Sequence, residues 1–323
     1  MKKFLTLALC ILMLMSTVLV GCGDSNATVK FGAGVYTGAP TAADATEDKE
    51  GSGKIDVTVA AVTVDADGKI VACALDTASN TVKFTADGKA VANGEFKTKY
   101  EMGADYNMVA YGGAAKEWFE QADAFEALVA GKTLDEVKAL VADGNKGTDE
   151  VINAGCTIMI NEFVGAIEKA YNAASAEVSA DAAPRVTIAT EQTTADATEE
   201  KDGSNKVSVN IFASAVDDKG TILAASSDCV EVSFTFDTAG VSTLDTSKAI
   251  ASKREQGTNY GMVAYGGAAK EWFEQANTFD AACIGKTAAD IAALQAEDGK
   301  GSADLQAAGC TIDVTGFVKA ATK

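Results

Sequence analysis

The chain contains no histidine. That absence removes the Ser-His-Asp triad, the Cys-His pair and every imidazole metal site. Any redox or transfer chemistry would therefore fall to a bound cofactor, and no side chain stands out as a catalytic residue or metal ligand. Proline is also scarce, with Pro40 and Pro184 the only two in 323 residues. Basic residues are too few to balance the acids: 27 Lys and Arg against 46 Asp and Glu give a net charge of −19. A surface of that sign repels phosphate backbones, which argues against nucleic acid as a partner. It argues equally against adhesion to anionic lipid by charge alone. Long apolar runs are missing except for one, Phe4 to Val20, at the start.

That run follows Lys2 and Lys3 and is short for a spanning helix, which needs about 20 residues. It reads as a signal peptide. Leu19-Val20-Gly21-Cys22 looks like a bacterial lipobox, so residues 1–21 are expected to be removed and Cys22 to be acylated. Several acyl chains anchor stably where one would not. The expected location is the outer face of the cytoplasmic membrane, held by the lipid on Cys22. Of the seven cysteines, Cys73, Cys156, Cys229, Cys283 and Cys310 then remain. Their spacings match no zinc site, and they read as buried free thiols. A disulfide stays open in this compartment.

With 47% hydrophobic residues there is material for real cores. A duplication organises them. "MVAYGGAAKEWFEQA" occupies residues 108–122 and returns unchanged at 262–276. Residues 99–154 align with 253–308 without gaps, and "ADATEDKEGSGK" at 43–54 matches "ADATEEKDGSNK" at 195–206. Repeats of this length are self-sufficient modules rather than solenoid units. The expected boundaries are a tether at 22–30, a first module at 31–176, a linker at 177–184 and a second module at 185–323.

Each module opens with strand patterns. Ile55, Val57 and Val59 alternate with polar residues, as do Val207, Val209 and Ile211. "DADGKI" and "DDKGTI" read as hairpin turns, and "TVKFTADG" (81–88) and "EVSFTFD" (231–237) as third strands. Helices follow. Trp118, Ala122, Phe125 and Val129 form one stripe, Thr133 and Glu136 form a capping box, and Asn161 and Thr315 are expected to cap the last helices. Strands followed by helices predict an α+β fold with two tandem copies of one module, each a small antiparallel sheet packed with C-terminal helices.

Within the repeated segment, Tyr111-Gly112-Gly113 and Tyr265-Gly266-Gly267 precede a helix. Such a start offers free N–H groups and a positive dipole end, suited to a phosphate. Tyr111 and Trp118, with Tyr265 and Trp272, could stack on a flat ring. The alternative is that Gly-Gly turns the chain and the tryptophans fill the core.

Each module closes on "AGCT" and an apolar helix, residues 154–157 and 308–311. This resembles the C-terminal S-G-A-T signature of FMN-binding domains, found in extracytoplasmic subunits of membrane redox complexes and in bacterial surface flavoproteins. "GVYTG" near residue 36 and the "DGKI" hairpin are similar to the same family. Alanine stands here in place of its serine, and cysteine in place of its alanine. The resemblance implies Thr157 and Thr311 as positions where a flavin transferase attaches FMN, with Gly155 and Gly309 letting backbone approach. It implies a surface lipoprotein that binds FMN and carries electrons, with a membrane redox complex as partner, and that is a carrier or binding protein rather than a catalyst. The alternatives are a surface ligand-binding protein without redox chemistry and a structural envelope protein.

Overall fold

Asp65 sets the first hairpin. Its carboxylate accepts from the N–H groups of Asp67 and Lys69 at 3.0 and 2.8 Å, closing a turn that returns the chain along the strand it has just left. Asp217 repeats this with Lys219 and Thr221. The computed structural model describes residues 27–323, so the lipobox and the acylation expected at Cys22 lie outside it. The first module comprises β1 (Thr28–Thr37), β2 (Thr41–Ala43), β3 (Gly51–Val64), β4 (Ile70–Phe84), β5 (Ala90–Val91), α1 (Lys99–Met102), α2 (Trp118–Val129), α3 (Leu134–Lys138), α4 (Asp149–Ala154) and α5 (Asn161–Ala173). The second comprises β7 (Ala183–Ala195), β8 (Gly203–Val216), β9 (Ile222–Phe236), α6 (Lys253–Gln256), α7 (Trp272–Cys283), α8 (Ala288–Ile291), α9 (Ala303–Ala307) and α10 (Thr315–Ala321), with β6 (Ala176–Ser179) between the two. Among the described residues, no helix is long and apolar enough to cross a membrane.

The fold is α+β. One antiparallel sheet runs β5-β4-β3-β1-β6, with β2 beside β3, and the other runs β7-β8-β9. Side chains alternate across each strand. Along β3, Ile55, Val57 and Val59 face one core, while Ala60, Val62 and Val64 face another. The second of these cores is roofed by α2 and α5 through Trp118, Phe125, Phe163 and Ile167. In the second module Phe212, Val216 and Ile222 meet Trp272, Phe279 and Phe317 in the same way. The remaining sheet faces pack on each other. Val57, Val59 and Val82 share a core with Val207, Val209 and Val232, and Phe84 stacks on its repeat counterpart Phe236 at 4.6 Å. The layers therefore run helices, sheet, sheet, helices, with a pseudo-twofold axis through the centre. Two matched ion pairs, Lys169 with Glu255 and Lys323 with Glu101, cross between modules under that symmetry.

Three local expectations change. "TVKFTADG" and "EVSFTFD" do not begin new strands, because their first residues end β4 and β9, which run unbroken from Ile70 and Ile222. Asp76, Thr77 and Asn80 lie within the first of these continuous strands and are polar yet buried. Residues 177–184, expected as a linker, contain most of β6, which pairs with β1, and the first residues of β7. Pro184 lies in β7, an edge strand, where its missing N–H is tolerated. Asn161 and Thr315 are the first residues of their helices, and Ile160 and Val314 hold the cap positions.

Candidate functional site

The repeated segment folds as a turn over Met108–Ala114 followed by helix α2. Ala114 N–H donates to Met108 O at 3.0 Å. Gly112 is pressed against that same carbonyl, where an added Cβ would lie 2.6 Å away, and Gly113 has a φ of +67°. The close approach that the glycines permit is thus to the chain's own backbone. Helix α2 starts at Trp118, and acidic side chains serve its N-terminus. Glu117 N–H donates to Glu120, and the Glu117 carboxylate turns back to accept from Met108 N–H and Val109 N–H at 2.9 and 3.2 Å. A phosphate expected at this helix start would meet two carboxylates already in place. The second copy repeats the arrangement with Glu271 and Glu274.

The aromatic residues of the segment separate. Trp118 and Trp272 are 3% and 5% exposed and meet Phe163 and Phe317 edge-on, so they offer no open ring face. Tyr111 and Tyr265 are 88% and 91% exposed and stand outside the core.

Gln121 and Gln275 link the segment to the threonine motif, a connection that sequence spacing alone does not reveal. Gln121 Oε1 accepts from the backbone N–H of Thr157 at 2.8 Å and from its hydroxyl at 3.0 Å, while its amide donates to Lys116 O. Gln275 holds Thr311 at the same distances. Thr157 and Thr311 are exposed, and each follows a buried cysteine thiol. Gly155 and Gly309 have φ of +103° and +99°, and the Lys116 and Lys270 ammonium groups sit against them. Each module therefore presents an exposed threonine whose hydroxyl is tied to a buried glutamine, with a lysine against the preceding glycine. Burial pushes the Cys156 and Cys310 thiols up to about 11, which leaves them protonated and unreactive at neutral pH.

Two ligand-sized cavities lie elsewhere, between the modules, and are related by the pseudo-twofold axis. One, of about 590 Å³, is bounded by β1, α5, β9 and α6 and contains Asp228, Arg254 and Asp280. The other, of about 580 Å³, is bounded by β4, α1, β7 and α10 and contains Asp76, Tyr100 and Glu126. Their acids are built alike. Asp228 accepts from Cys229 N–H and Arg254 N–H, and Asp76 from Thr77 N–H and Tyr100 N–H. Asp280 accepts from Ser227 N–H at 2.8 Å, and Glu126 from Leu75 N–H at 2.6 Å. Burial raises Asp76 to about 6 and Glu126 to about 8.

No protein-family model, curated protein or solved structure matches the chain. Its chemistry must be argued from these sites.

Proposed function

We propose that this chain is an extracytoplasmic lipoprotein that binds small molecules in the two clefts between its modules. The observation behind this reading is the pair of pseudo-symmetric cavities, each large enough for a metabolite and each lined by buried polar groups on an apolar floor. A ligand that binds the folded state raises its stability by mass action. A thermal-shift screen of the purified protein should therefore find stabilising compounds. Asn172→Trp at the rim of one cleft and Ala288→Trp at the rim of the other should each abolish the shift for the ligand of that cleft. A shift that survives both substitutions would move the binding site elsewhere.

A second reading, FMN carriage with electron transfer to a membrane redox complex, is favoured by a separate observation. Thr157 and Thr311 are exposed at matched positions, and a lysine ammonium sits against the glycine two residues before each. Phosphoester attachment needs a free hydroxyl, so each threonine would have to release its hydrogen bond to Gln121 or Gln275. Protein from its native membrane should then be yellow and carry two flavin masses, lost stepwise in Thr157→Ala and Thr311→Ala. Colourless protein of plain lipoprotein mass would rule this reading out.

A further inference from the structure

The two clefts differ at one position in a way that identifies a ligand class. In the first, Arg254 fills the space beside the acids. Its guanidinium donates to Ser227 O at 2.5 Å, Asn277 Oδ1 at 2.6 Å and Asp280 Oδ2 at 2.5 Å. The repeat counterpart of Arg254 is Tyr100, and that of Asn277 is Asp123. Tyr100, 44% exposed, donates its hydroxyl to Asp123 at 2.9 Å and brings no positive charge to the acids. Asp76, 6% exposed, and Glu126 keep the backbone partners of their counterparts but form no ion pair among the described residues. Lys323 at the rim is paired with Glu101. Arg185 also lines this cleft, exposed and without an ion pair among the described residues.

We propose that the Asp76–Glu126 cleft binds the guanidinium or ammonium head of a small organic cation, in the place that Arg254 fills in the other cleft. This rests on the reading of the clefts as binding sites and names the chemistry of one of them. The second copy of the module supplies the independent observation, because Asp280, the counterpart of Glu126, holds a guanidinium there, while Asp228, the counterpart of Asp76, accepts from the backbone N–H of the same arginine. Among the described residues, no group of three or more acidic or thiol donors converges as a metal site. A carboxylate at the Glu126 position suits a forked donor, as Asp280 does for Arg254. Asp123, the counterpart of Asn277, accepts from the Tyr100 hydroxyl where Asn277 accepts from Arg254.

Binding displaces protons from the acids, so affinity should rise as pH rises toward about 8. The charged and titratable groups lining the cleft are Asp76, Glu126, Tyr100, Glu101, Arg185 and Lys323, with Asp123 bonded to Tyr100.

The test is calorimetry of the full chain with agmatine, which carries both heads. One site is expected, weakened about tenfold or more in Glu126→Gln and abolished in Tyr100→Arg, which supplies an internal guanidinium. Arg254→Tyr should open the other cleft and raise the stoichiometry from one to two. Absence of binding to the wild type, or binding unaffected by Glu126→Gln and Tyr100→Arg, would overturn the proposal. So would binding that emerges only in Arg185→Ala, since Arg185 would then be the native occupant. If other compounds stabilise the protein while agmatine fails, the cleft reading survives without this inference.

Discussion

Glu126 is half-buried on α2 at the wall of the second cleft, with one oxygen on Leu75 N–H and no ion pair among the described residues. Burial, followed by the fields of Asp123 and Asp76, raises its pKa to about 8 from an ordinary 4.5. The folded protein thus holds a proton here that the unfolded chain releases above pH 4.5. Stability contributed by this residue is full below that value and declines as pH rises toward 8. Glu126→Gln keeps the amide acceptor for Leu75 and removes the charge. It should leave stability nearly unchanged at pH 4 and raise it by about 1–2 kcal/mol at pH 8. Urea unfolding at both pH values measures this, and equal effects at the two would mean that Glu126 is ionised in the fold. Glu126 reads in the sequence as one of many acids on an acidic protein. Its burial depends on a strand residue about fifty positions away, and no local pattern encodes that.

At the scale of elements, β1 and α5 are joined more closely than ordinary side chains allow. A Cβ on Gly34 would lie 2.3 Å from Ala170 N and 2.5 Å from Ala166 O, so the helix backbone rests directly on the strand. Gly34→Val has no flexible neighbour to displace and should cost about 3 kcal/mol or more. Thr187 occupies the corresponding register position in β7, and α10 ends at Ala321 before covering it. Thr187→Val should cost about 1 kcal/mol, from its hydrogen bond to Phe212 O. Thermal unfolding of the two variants tests the contrast, and equal losses would refute the asymmetry. Most elements were legible because their signals are local: alternation in β3 and β8, aspartate-glycine turns, and the Trp118–Val129 stripe. The strand β6 was not, because a short polar stretch becomes a strand only through its pairing with β1.

The whole molecule depends on a contact that neither copy makes alone. Duplication was plain in the sequence, and so was the apolar face of each sheet, but nothing local says that the two faces cover each other. The clefts were illegible for the same reason, since each is assembled from both copies. The repeated fifteen residues, by contrast, drew attention to themselves, yet much of their content is a backbone turn, a capped helix start and a glutamine clamp.

The shared core has a consequence for unfolding. Phe84 and Phe236 stack at its centre, one from each module, and the faces around them carry Val57, Val82, Val207 and Val232. Loss of either module would expose that face, so the two should unfold together. The protein provides its own reporters, because Trp118 lies in the helix-covered core of the first module and Trp272 in that of the second. In single-tryptophan backgrounds made by Trp118→Phe or Trp272→Phe, fluorescence follows one module at a time. Phe84→Ala should destabilise by about 3–5 kcal/mol, and both reporters should shift to the same lower midpoint. A shift seen only by Trp118, with Trp272 unchanged, would mean that the modules are energetically independent and that the sheet–sheet contact is too weak to couple them. Coincident shifts would make the sheet-to-sheet interface the element that holds both clefts in shape, since the walls of each come from opposite sides of it.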